Sequence, residues 1–191
     1  MKTKQLLQVW MVLGFGALAS CSQQSSVSTT VPMSSAASQS KPSGSDLSDR
    51  IYREVNAYRA TQGASAVPRH AGLDRLAQKH SEFLMANRGK FNLHGKNVSH
   101  MGFEGRHLAV RELYNMNSFS ENVAACSGGS AKAEFTLVKL WADSPNHEYN
   151  MTESWKFTGV GVCVDKDGMV FSTQLFGTPS MGQMTLTDRF R

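Results

Sequence analysis

The chain is poor in cysteine, with three in 191 residues, and no two of them form a Cys-x-x-Cys pair, so the usual signature of a cysteine-bound zinc is missing. It has no Gly-x-Ser-x-Gly elbow, which removes the serine hydrolases built on that turn. The nearest approach to a His-Glu-x-x-His helix is "HEYNM", residues 147–151, where Met151 stands in place of the second histidine. A helical zinc-peptidase site is therefore excluded. Basic runs interleaved with aromatic residues are absent as well, which argues against nucleic acid as a partner. No internal repeat is present.

What is there begins with a leader. Lys2 and Lys4 precede an apolar stretch from Leu6 to Leu18, too short to span a membrane, as expected of a signal peptide over residues 1–20. The "LAS" before Cys21 resembles a bacterial lipobox, so Cys21 is the expected lipidation site and the membrane a partner through that anchor. Several acyl chains on one residue meet the requirement for stable anchoring. In a Gram-negative envelope, Ser22 is compatible with sorting to the outer membrane. Loss of Lys2 and Lys4 lowers the formal net charge from +5 to +3. Residues 21–44 are Ser-rich and almost without large apolar side chains, the composition of a tether. Such a tether has a root-mean-square span of roughly 25 Å.

Residues 45–177 have the size of one domain with its own core. Leu47, Ile51, Val55 and Tyr58 recur at helical spacing before Gly63, and Leu73, Leu76, Ala77, His80, Phe83 and Leu84 do so before Gly89. A third helix fits "AKAEFTLVKLWADS", stopped by Pro145. "SFSENVAACS" reads as a strand, and "FTGVGVCVDKDGMVFSTQLFG" as a hairpin around its Asp-Gly turn. Helices first and antiparallel strands later give the α+β class. Residues 178–191 are expected to form a loose tail.

Three of the six histidines, His94, His100 and His107, lie within residues 92–107, without helical spacing and among glycines. A loop could gather them, but nothing in the spacing requires it. Glu121 precedes "NVAAC", a run that should be buried, so its carboxylate needs a cation, a histidine or several backbone donors, unless it caps a turn at the strand edge. With Cys21 lipidated, Cys126 and Cys163 remain, either as a disulfide or as two buried thiols.

Six motifs occur in order: "VNAYRATQG", "SHMGFEGR", "SENVA", "WADSPNHEYNM", "TGVGV" and "FSTQLFG". Together they resemble the bacterial branch of the CAP superfamily (cysteine-rich secretory, antigen 5 and pathogenesis-related 1 proteins, or SCP-like domains) over residues 47–177. The resemblance implies a three-layer α-β-α sandwich. It also implies a central cavity containing His100, Glu121 and His147, with Ser144 where many eukaryotic members have a second glutamate. Ser120 stands where the family usually has glycine. Asn56, Arg59, Asn122 and Gln174 fall on structural positions of the motifs, and Gly159 and Gly161 on positions of close strand packing.

Two imidazoles and a carboxylate, completed by water, would suit zinc or another divalent cation. The same residues would serve equally as a hydrogen-bonded cluster that holds loops together. The leading functional expectation is a lipid-anchored binding module of the bacterial cell envelope, for a lipid, an envelope polymer or a protein. The alternatives are a metal-assisted hydrolase, a Ser144–His147–Glu121 triad and a purely structural domain.

Overall fold

A computed structural model describes residues 44–90 and 99–180. The expected signal peptide, Cys21, His94 and residues 181–191 lie outside the described residues, as does the tether before Gly44.

Helix α1, Gly44–Thr61, buries Leu47, Ile51 and Val55, one residue per turn along a single stripe. Gly63, at φ 73°, supplies the left-handed residue that turns the chain away. Helix α2, Ala71–Ala86, starts at His70, whose Nδ1 accepts the N–H groups of Gly72 and Leu73 at 3.2 and 3.4 Å. An imidazole thus takes the capping role usual for Ser or Asp. Helix α4, Ala133–Ala142, buries Leu137, Val138 and Trp141.

Two helices go beyond the sequence expectation. Helix α3, Phe103–Tyr114, occupies part of the run expected as loop, between left-handed residues at Gly102 and Asn115. Its only fully buried residue is Val110, so it carries almost no apolar stripe to reveal it. Helix α5, Pro145–Thr152, begins on the proline expected only as a stop. Proline ends one helix and is pre-organised for the first position of the next.

Strands β1 (Met116–Cys126), β2 (Phe157–Val164) and β3 (Val170–Pro179) form one antiparallel sheet in the order β1-β3-β2. β3 runs past residue 177, the expected end of the domain. In the β2–β3 turn, Asp165 Oδ1 accepts the N–H groups of Asp167 and Met169, and Gly168 takes φ 77°. α1, α4 and α5 cover one face of the sheet, packing on Ala124, Cys126, Val160, Val162 and Phe176. α2 and α3 cover the other, against Val123, Ala125, Phe171 and Leu175. This is the three-layer α-β-α sandwich of the α+β class.

On β2, Gly159 and Gly161 face α2 with nothing between strand and helix backbone. The residues on the structural motif positions tie elements together. Asn56 pairs with the backbone of Val67 through both its amide groups, while Arg59 reaches Ser65 O at 2.8 Å and also the carbonyls of Met151 and Glu153. Burial lowers the pKa of that guanidinium. Gln174, fully buried in β3, donates to Thr158 Oγ1 at 3.2 Å.

The sheet order rules out the disulfide. Cys126 pairs with Val170 and Cys163 with Phe171, so the whole of β3 lies between the two cysteines. Two strand spacings amount to about 9.6 Å, beyond the roughly 7 Å that a bridge spans between Cα atoms. They also face opposite layers, Cys126 in the α1/α4 core and Cys163 accepting a hydrogen bond from Gln78 of α2. Both are free thiols. Alkylation of the unfolded, unreduced protein should therefore label Cys126 and Cys163 fully by mass mapping; protection of both would overturn this arrangement.

Candidate functional site

Glu121 is the centre of the site. Its position on β1 turns the side chain towards α2 and α3, where it is completely removed from solvent. The required cation is Arg106 of α3, whose Nε donates to Oε2 at 2.5 Å and whose Nη2 donates to Oε1 at 2.7 Å. The same guanidinium closes its own loop by donating to the carbonyls of Met101 and His100. His100 Nδ1 donates to Glu121 Oε1 at 2.9 Å. His80 of α2 approaches the same oxygen at 3.9 Å while its Nε2 donates to Ser99 O at 3.0 Å. Burial alone would push the Glu121 carboxyl up; hydrogen bonds from His100 and Arg106, with the charge of Arg106, outweigh it and hold the pKa below the ordinary value.

His147 is carried by α5, with its ring centroid 6.0 Å from that of His100. Burial, with the nearby His100, lowers its pKa, and burial does the same for His80. Both imidazoles are therefore neutral at neutral pH. Asn122, fully buried, fixes α5 to the strand: its Nδ2 donates to His147 O at 2.9 Å, and its Oδ1 accepts from Asn150 at 2.9 Å. His100, Phe103, Ser120, Glu121, Asn146 and His147, with Asn150, line an open cleft of about 600 Å³.

The structure thus brings together His100, Glu121 and His147. It does not gather the three close histidines: His107 stacks on Phe119, with centroids 5.4 Å apart, as a packing residue. Nor does it assemble the serine triad. Ser144 precedes α5 without a side-chain cap hydrogen bond and lines a second, more apolar groove that includes His147 but not Glu121. The three-ligand metal set does not fit either. Both oxygens of Glu121 are held by Arg106, and among the described residues no group of three His, Cys, Asp or Glu side chains is placed to hold a metal ion. Arg106 is the site residue that the sequence reading missed, and its signal was the unmet need of Glu121 for a cation. His80, on the expected apolar face of α2, is a buried packing histidine hydrogen-bonded to Ser99 O.

The family model of the cysteine-rich secretory proteins, CAP, matches residues 52–176. The chain belongs to the CAP family. Among solved CAP-like structures, an outer surface protein of Borrelia burgdorferi superposes with a TM-score of 0.59 at 17% identity, covering 74% of this chain and 98% of that one. A cysteine-rich secretory protein of Staphylococcus aureus gives 0.50 at 15% identity, and an extracellular SCP-domain protein of Bacillus anthracis 0.50 at 21%. Each matches 70% of this chain, which spans only 38% and 41% of their respective lengths. At these identities the likeness speaks for the fold. No curated protein matches the sequence. In this CAP domain the family name is misleading, since neither cysteine of the fold is bridged.

Proposed function

We propose that this CAP domain is a non-catalytic binding module of the bacterial cell envelope, and that its cleft takes a hydroxyl- and amide-rich envelope polymer. The observation that carries the reading is the state of Glu121. A carboxylate with no exposed surface, three of its four lone-pair positions filled by a guanidinium and a histidine, is held in a structural pairing and poorly placed to serve a hydrolase as base or ligand. What the cleft offers instead is Phe103 as an apolar plate, with Asn146, Asn150 and the neutral His147 able to donate and accept hydrogen bonds. Those polar walls favour a polymer over a lipid chain.

Placement in the envelope rests on the leader, on Cys21 and on likeness to a Borrelia outer surface protein. The lipid anchor would hold the membrane, and the tether would let the domain reach the polymer.

Co-sedimentation of the purified protein with insoluble envelope polymer and, separately, with phospholipid vesicles tests the proposal. Retention on the polymer should fall about tenfold in His147→Ala or Phe103→Ala, the loss of one or two hydrogen bonds or of a packed ring. Retention indifferent to both substitutions, preference for vesicles, or release of soluble polymer fragments would each overturn it.

A further inference from the structure

The two edges of the sheet are treated differently. On β2 the outward N–H groups of Thr158, Val160 and Val162 are all met, by Pro68 O at 2.9 Å, Asp74 Oδ1 at 2.9 Å and Gln78 Oε1 at 3.0 Å. The outward carbonyls of Thr158 and Val160 accept from His70 N–H and Ser48 Oγ. That edge is sealed from Thr158 to the Val162 N–H, the Val162 carbonyl alone of these groups having no partner among the described residues.

Antiparallel pairing alternates the direction of backbone groups along each strand. With even-numbered residues of β2 facing out, Gly159, Gly161 and Cys163 bond to Leu175, Thr173 and Phe171 of β3. Ser172, Gln174 and Phe176 then bond to Ala124, Asn122 and Ser120, which leaves Glu121, Val123 and Ala125 of β1 pointing away from the sheet. Glu121 O accepts from Asn150 at 3.4 Å. The N–H and C=O groups of Val123 and Ala125 have no partner on that side among the described residues, although both residues are buried. A buried unpaired backbone group costs about 1–3 kcal/mol.

Beside this edge runs the second groove, of about 490 Å³, walled by Thr136, Leu140 and Trp141 of α4 and ending at Ser144 and His147. Leu140 is 43% exposed at its rim. Trp141 at its floor is fully buried, and its indole N–H has no acceptor among the described residues.

We propose that this groove receives an extended polypeptide segment of a partner molecule, added to β1 as a fourth strand with an apolar side chain against Leu140 and Trp141. Donor and acceptor pairs recurring at every second residue are the complement of an extended peptide backbone. A lipid chain has neither group, and the hydroxyls of a glycan lack that repeat. A second copy of the chain is a poor fit, because its own α4 would arrive beside its β1 in the same space. The site shares only His147 with the polymer cleft, and either proposal stands if the other fails.

The test is selection of a random heptapeptide library on the full chain, repeated with Ala125→Pro, which removes an outward N–H without touching the β3 ladder, and with Leu140→Asp on the exposed wall. Circular dichroism and melting of both variants verify that they fold. Enriched peptides should bind the wild type at least tenfold more tightly than either variant, and N-methylation of alternate peptide amides should abolish binding. No enrichment on the wild type, or binding indifferent to both substitutions, overturns the proposal. Hydrogen exchange supplies the second arm: Val123 and Ala125 amides should exchange readily in the full chain and slow when peptide is added. Protection already present in the full chain and lost on truncation after Ser180 would give the edge to the chain's own C-terminal residues and overturn it as well.

Discussion

Replacing Arg106 by alanine should destabilise the domain by about 3–5 kcal/mol, read from urea denaturation at neutral pH. The cause is what remains: a Glu121 carboxylate with no exposed surface, retaining only His100 and the more distant His80. Removing one member of a buried pair costs more than the pair contributed, because the other charge is left without water or partner. The double variant Arg106→Met with Glu121→Gln, which removes both charges, should recover part of the loss.

Acid gives an independent sign. In the wild type the Glu121 pKa is depressed, so its contribution is present above the unfolded value near 4.5 and is lost as pH falls through the folded value. Without Arg106, burial is opposed only by His100 and His80, so the folded pKa lies higher than in the wild type and protonation costs the variant less. The deficit of Arg106→Ala relative to wild type should therefore narrow as pH falls towards and through the ordinary glutamate range. A loss below about 1 kcal/mol at neutral pH, or a deficit that widens in acid, would contradict the pairing.

Gly161→Ala should cost at least as much, about 3 kcal/mol or more. A Cβ at residue 161 would lie 2.2 Å from Ala77 C and from Gln78 N, and one at residue 159 would lie 2.4 Å from Asp74 N. These neighbours are helix backbone, which cannot rotate aside as a side chain would, so α2 and β2 must separate along their length. Separation would also break the Asp74 and Gln78 bonds to the strand. Gly105→Ala in α3, where a Cβ meets nothing within 4 Å, is the matched control and should be neutral or slightly stabilising. Equal urea midpoints for the two variants would refute the close approach.

Much of the fold was legible because burial imposes a period. α1, α2 and α4 each put a stripe of large apolar residues into the core, and the hairpin announces itself through Asp-Gly between β-branched runs. α3 was not legible, since a helix that buries little beyond Val110 has no stripe to show. The sandwich fixes what the periods leave open, namely strand order. No local pattern states that β3 separates β1 from β2, and the possible bridge between Cys126 and Cys163 turned on that alone.

The site was legible in part for a similar reason. The sequence indicates that Glu121 must be neutralised, while its partner, 15 residues earlier, stands on the unforeseen helix. With α3 hidden, Arg106 could not be chosen, and Glu121 remained available on paper as a metal ligand. His147 was reachable only through the motif resemblance, because its place in the cleft depends on Asn122 fastening α5 to β1.

The sealed edge of β2 limits what the open edge of β1 can build. Sheets that present two open edges grow in both directions, and repeated addition leads to fibres. Here a strand added at β1 meets a domain whose far side offers no further template, since Asp74, Gln78 and the loop through Pro68 already occupy it. Each molecule acts as a chain terminator, able to take up one strand without passing the pairing on. For domains at high local concentration, that asymmetry separates recognition of a peptide from runaway polymerisation.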